Sequence, residues 1–167
     1  THCGEAIMRS APHIKSVRAI IAAARARRLD GIAITDHHNR PWGLKAREIA
    51  REHFEGRLII ICGQEINKGH AHVVELYLTE SLTFRFICHP GYPRVEGFDF
   101  ASEIDGSIHG IELRNSLHQH EMNESAIREA ADRHNLLLLE NSDAHTLRDV
   151  GRCYNRIAIE TLCARAS

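Results

Sequence analysis

Short apolar strands alternating with amphipathic helices predict an α/β fold, layered or barrel, for this chain of 167 residues. Three observations carry that expectation. Helical periodicity recurs between strand-like runs. The composition, with 43% hydrophobic and 26% charged residues, is that of an ordinary folded domain. The residues that follow five of the apolar runs are rich in His, Asp and Glu, and in α/β folds functional groups gather at the carboxyl ends of strands.

Pro12 to Leu29 is helical, because Ile14, Val17, Ile21 and Ala24 recur at three- and four-residue steps and Gly31 follows as a stop. Ile32–Thr35 is a short strand. Pro41 to Phe54 is a second helix, with Leu44, Ile49, Ala50 and Phe54 inward. Leu58–Cys62, Val73–Leu78, Phe84–Cys88 and Ile111–Leu113 read as strands. Asn123 can cap a helix to about His134, burying Ala126, Ile127, Ala130 and Ala131. Leu136–Leu139 and Ile157–Ile159 complete the strands. The five residues between Leu78 and Phe84 are too few for a parallel crossover, which needs about 10–12. Either the two strands form a hairpin or residues are absent there, and the start at Thr1 with no preceding strand raises the same expectation of absent residues.

The charge balance, 21 Lys+Arg against 22 Asp+Glu, lacks the footprint of a non-specific nucleic-acid binder. No apolar run approaches the ~20 residues of a membrane span, and no signal peptide opens the chain. Five cysteines without C-x-x-C spacing indicate a reducing, cytoplasmic setting without a disulfide framework, with Cys62 and Cys88 as buried thiols. The outlying number is thirteen histidines, against one Trp, three Tyr and five Phe.

Placement explains the excess. Asp36-His37-His38 follows the first strand, Gly63-Gln64-Glu65 the second, and His89-Pro90-Gly91 the run ending at Cys88. Arg114-Asn115 follows Ile111–Leu113, with Glu112 inside it, and Glu140-Asn141-Ser142-Asp143-Ala144-His145 follows Leu136–Leu139. Neutral imidazole and carboxylate suit Zn²⁺, Mn²⁺ or Fe²⁺, and bridging carboxylates let several ions share one site. Paired ions activate water as hydroxide and stabilise an in-line displacement at phosphorus.

In order along the chain, Thr1-His2-Cys3, Ile34-Thr35-Asp36-His37, Gly63-Gln64-Glu65, His72, Cys88-His89-Pro90-Gly91, Gly110-Ile111-Glu112 with Asn115, and Ser142-Asp143-Ala144-His145 with Gly151 resemble the motifs of the polymerase and histidinol phosphatase (PHP) domain family. The resemblance spans essentially the whole chain and implies one PHP-type domain over 1–167. The implied fold is a distorted (β/α)7 TIM-like barrel with two or three divalent ions (Zn, Mn or Fe) at the strand ends. It further implies a phosphoesterase acting on a small phosphomonoester or nucleotide through a metal-bridging hydroxide.

Carried over by motif, one ion takes His2, Glu65 and Asp143; a second shares Glu65 and adds His72 and His89; a third uses His37 and His145. The family's remaining ligand for the third ion has no clear counterpart: Ile7 and Met8 lie near the expected spacing, and only Glu5 offers an oxygen. Two ions are the safer minimum.

Asp143 and His145 are candidates to assist proton transfer, and with Glu65 form the catalytic set. Arg114, His118 and His120 are candidate substrate contacts; Arg94, Arg148 and Arg152 are weaker cation candidates. Asp36 reads as orienting a ligand, His38 as pocket or surface, and His70 as the start of a strand. His13, His53 and His134 read as solvated surface and His109 as structural, while Glu112 and Asn115 either close a functional rim or fix loops. A small phosphorylated substrate is the expected partner; nucleic acid is not indicated by charge, and the oligomeric state is open. Two other readings keep the residues: a metal-dependent amide or ester hydrolase, and a degenerate PHP domain serving as a regulatory or binding module.

Overall fold

The computed structural model describes residues 1–6 and 11–167, the side chains of Glu5 and Ala6 excepted. Ile7 and Met8, and the Glu5 side chain, therefore lie outside the described residues. The elements run α1 (Cys3–Ala6), α2 (Ile14–Ala26), β1 (Gly31–Ile34), α3 (Arg40–Phe54), β2 (Ile59–Lys68), β3 (Ala71–Tyr77), β4 (Thr83–Cys88), β5 (Gly110–Asn115), α4 (Glu124–His134), β6 (Leu137–Asn141) and α5 (Ile159–Arg165). The strands form one curled sheet in sequence order, a half-barrel rather than a closed seven-stranded one among the described residues.

Helix ends follow local chemistry. His13 Nδ1 accepts a hydrogen bond from the Ser16 amide and the His13 amide donates one to Ser16 Oγ, which closes the start of α2 as a capping box. His13 is thus a cap rather than a solvated surface residue. Asn39 caps α3 and Asn123 caps α4, and α4 stops where Asn135 turns left-handed.

Parallel pairing joins β1 to β2, β4 to β5 and β5 to β6. Between them β2, β3 and β4 are antiparallel. The short Leu78–Phe84 connection is therefore a hairpin, with Tyr77 opposite Thr83. Ile157–Ile159 is not a strand, since α5 begins at Ile159. Gln64 and Glu65 lie within β2, Arg114 and Asn115 within β5, and Glu140 and Asn141 within β6, rather than after those strands.

The outer face packs in two clusters. Ile32, Ile34 and Ile60 meet Val17, Ile20 and Ala46 of α2 and α3, and Val73, Ile87, Ile111 and Leu113 meet Ile127 and Ala131 of α4. On the concave face Val74, Leu76, Phe84, Phe86, Cys88 and Leu139 pack with Leu162 of α5. The segment Thr1–His2 lies between β1 and the stretch after β6: the Thr35 amide donates to the Thr1 carbonyl (2.9 Å) and the His2 amide to the Ala144 carbonyl (3.0 Å). No helix among the described residues is long and apolar enough to cross a membrane.

β2 and β3 approach too closely at Gly63 for a side chain, since a Cβ there would lie 2.5 Å from the Glu75 carbonyl. Gly63→Ala should therefore cost about 1–3 kcal/mol, read as a lower urea midpoint at unchanged slope; an unshifted midpoint would contradict this packing.

Candidate metal centre

The site is built where strand ends and the Thr1–His2 segment converge. Alternation along β2 points Ile61 and Glu65 to the concave side. A parallel bridge between His37 and Glu65 then draws the chain after β1 against that strand. His72, second in β3, lies opposite Cys88 of β4, and His89 follows Cys88 directly. Asp143 and His145 follow β6.

The ligand atoms crowd together. His2 Nε2 is 3.2 Å from Glu65 Oε2 and 3.0 Å from Asp143 Oδ1. Glu65 Oε1 is 2.8 Å from His72 Nδ1, 3.3 Å from His89 Nε2 and 3.9 Å from His37 Nδ1. The His2 ring stacks against those of both His37 and His145, with centroids 4.5 and 4.3 Å away. The ligand atoms of His2, Glu65 and Asp143, and those of His2, His37 and His145, each lie within 4.8 Å of one another. All seven expected ligands thus meet at one end of the sheet.

The donor set fits divalent cations. Glu65 Oε1 and His72 Nδ1 approach to 2.8 Å, yet neither atom is in hydrogen-bonding geometry, and both are buried. Buried polar atoms that face each other without bonding need a third party. His145 Nδ1 lies 2.9 Å from the Asp143 carbonyl. An N–H there leaves Nε2 as the ligating atom, the usual outer support of a metal-binding imidazole. His89 and Asp143 are held at positive φ (31° and 48°), a strained setting for non-glycine residues that marks functional sites.

Charge follows from the crowding. Burial lowers the His2 pKa, but the Asp143 and Glu65 carboxylates outweigh it and raise the imidazole to about 9. Burial raises Glu65 and Asp143; the imidazoles beside them outweigh it and hold both well below the ordinary carboxylate range. Glu112 is the opposite case. Burial pushes it up to about 7, only partly offset by the donors it accepts from.

Those donors make Glu112 the scaffold of the site. Its Oε2 accepts from the His89 amide (2.6 Å) and Asn115 Nδ2 (2.9 Å), and its Oε1 from Asn141 Nδ2 (2.7 Å). Asn115 also reaches Asp143 Oδ2 at 3.4 Å and accepts from the amides of Leu117 and His118. Fixing loops is what Glu112 and Asn115 do. Asn141 shares the task; it stood in the quoted strand-end run without a role.

Arg114 does not reach the cluster. A register shift between Glu112 and Arg114 re-aims the chain, as β-bulges do, so that Asn115 faces Asp143 while Arg114 is exposed beside Glu140 (3.6 Å). His120 is exposed too and pairs with Glu121 (2.9 Å). His118 is at the edge of the site, with Nε2 3.8 Å from Asp143 Oδ2. Its ring stacks on Tyr92 at 3.8 Å. Tyr92 also meets His72 and His89 edge-on, a wall that no sequence pattern singled out. Arg152 pairs with Asp149, and Arg94, Arg148, His38 and His70 are exposed. Asp36 accepts from the Gly4 amide (2.7 Å), and His109 from the Arg85 amide. Beneath the cluster, a cavity of about 840 Å³ reaches Glu65, His89 and Asp143 from the apolar concave face.

Comparison with known proteins agrees with this architecture. The family described as PHP-associated matches residues 121–164, which include Asp143 and His145. No curated protein matches the chain. Among solved structures, a proposed metal-dependent phosphoesterase from Bifidobacterium adolescentis superposes with TM-score 0.67 at 13% identity, over 90% of this chain and 91% of that one. PsfC from Pseudomonas syringae superposes at 0.62 with 15% identity, over 84% and 72%. An amidohydrolase from Chromobacterium violaceum, solved with sulfate and no metal, superposes at 0.57 with 17% identity, over 89% and 90%. The family match is confined to residues 121–164, and the likeness to the solved structures is one of fold.

The shifts fix how stability of the metal-free chain depends on pH. Raised from 6.5 to about 9, His2 stabilises fully below pH 6.5 and loses that contribution as pH climbs through 9. Glu112, raised from 4.5 to about 7, acts in the same sense at lower pH. Glu65 and Asp143, lowered, contribute above the ordinary carboxylate range and lose it in strong acid. Melting temperature under chelator should therefore fall from mildly acidic pH toward about 9, while stabilisation by added metal grows over the same range, because metal displaces protons. A chelated profile that is flat or rises with pH would contradict this electrostatic account.

Proposed function

We propose that the chain is a metal-dependent phosphoesterase acting on a small phosphomonoester or nucleotide. The observation that carries the reading is the meeting of His2, His37, His72, His89 and His145 with the Glu65 and Asp143 carboxylates at the strand ends. The surrounding half-barrel is the fold of the Bifidobacterium phosphoesterase. Bound divalent ions would supply Lewis-acid activation of water and neutralise charge on the phosphoryl oxygens.

The chain's own residues supply the rest. His2, Glu65 and Asp143 would hold one ion, His72 and His89 with Glu65 a second, and His37 with His145 a third. The catalytic work of Glu65, Asp143 and His145 is then ligation. An imidazole whose Nε2 binds metal cannot also carry a proton there, which leaves His118, seated on Tyr92, to contact the substrate beside Asp143. The Glu112 network keeps His89 and Asp143 in their strained conformations.

A second reading, amide or ester hydrolysis, is favoured by the likeness to the Chromobacterium amidohydrolase. Phosphate as a competitive inhibitor would support phosphoester chemistry; turnover of an amide panel with no effect of phosphate would support the alternative.

Asp143→Ala and Glu65→Ala should lose bound metal and p-nitrophenyl phosphate turnover together, and full turnover in either variant would overturn the ligand assignment. His118→Gln should keep its metal content and raise KM more than it lowers kcat. An unchanged KM would remove His118 from the substrate site.

A further inference from the structure

Cys88, in the Cys88-His89-Pro90-Gly91 run, has no task in the proposed chemistry. Its alternation along β4 places it with Phe84 and Phe86 on the concave face, almost fully buried. Carbon surrounds it on that side, but at its upper edge the sulfur, a Glu65 oxygen and a His89 nitrogen all lie within 4.8 Å of one another. Each of the two neighbouring side chains, both 3% exposed, also carries a buried atom without a hydrogen-bond partner, Glu65 Oε1 and His89 Nδ1. Cys3, the other cysteine beside a ligand, differs: its sulfur is 3.3 Å from Thr1 Oγ1 and it packs in the outer core with Trp42.

We propose that Cys88 supplies a thiolate to a metal ion shared with Glu65 and His89. The proposal rests on the metal-centre reading above and deepens it. Zinc–sulfur and zinc–nitrogen bonds of about 2.3 and 2.0–2.1 Å need ligand atoms somewhat closer than the present spacing, a gap that side-chain rotation closes. As the sulfur–metal bond forms, the S–H bond breaks and its proton leaves to solvent, for which the cavity lined by Cys88 and His89 is the route. Thiolate is a soft ligand in a set of imidazole and carboxylate, so it biases the site toward zinc or iron and against manganese or magnesium.

Replacing the native ion by cobalt(II) in the whole protein tests this directly. The expected spectrum has a near-ultraviolet thiolate-to-cobalt charge-transfer band together with the visible ligand-field bands. In Cys88→Ser the first should vanish while the second remains, and in Cys3→Ser both should persist. The Cys88→Ser variant should also lose roughly tenfold or more in preference for zinc over manganese, the scale on which even outer partners act. Bound cobalt without the charge-transfer band in the unaltered protein, or a band that survives Cys88→Ser, overturns the assignment whether or not the variant folds well. Failure of cobalt to bind at all would instead remove the metal-centre reading on which it stands.

Discussion

The carboxylate of Glu65 is the constraint around which this molecule is arranged. It is buried, and its two oxygens face the imidazoles of His2, His37, His72 and His89. A buried carboxylate without compensation is costly. Here compensation arrives from the start of the chain, from the turn after β1, from β3 and from the turn after β4. Each of those segments is therefore tied in position by the same charge, and the half-barrel's mouth is their meeting point.

That convergence has a structural cost, met by Glu112 one strand further along. His89 and Asp143 sit in left-handed backbone conformations, which an unsupported chain would leave. The Glu112 carboxylate grips the His89 amide directly, and Asn115 connects the same carboxylate to Asp143. Glu65 thus gathers the imidazoles, and Glu112 fixes the backbone around them. The bulge at Glu112–Arg114 is what lets both Glu112 and Asn115 face inward, and it turns Arg114 out to Glu140.

Much of this was legible in the sequence because strand ends are punctuated by residue type. Apolar runs closing on Asp36-His37, Glu65, His89 and Asp143-Ala144-His145 marked the α/β class and five of the seven candidate ligands, while His2 and His72 entered through the family resemblance. The Leu78–Phe84 link was legible as an anomaly, and a hairpin resolves it. Other features left no local trace. The bulge that expels Arg114 depends on pairing with β6, and the stacking of Tyr92 on His118 joins two loops distant in sequence. Ile157–Ile159 reads as a strand because it is a short apolar run, whereas the helix that starts at Ile159 is set by packing on the concave face, a non-local partner.

On the function proposed above, the imidazole–carboxylate cluster is a working metal centre for phosphoester hydrolysis. Metal content and phosphate release, measured on one preparation as isolated, after chelation and after metal is restored, test it most directly. The account predicts at least two ions per chain, loss of turnover when they are removed and its return when they are replaced. Substoichiometric metal throughout, or turnover indifferent to chelation, would contradict it.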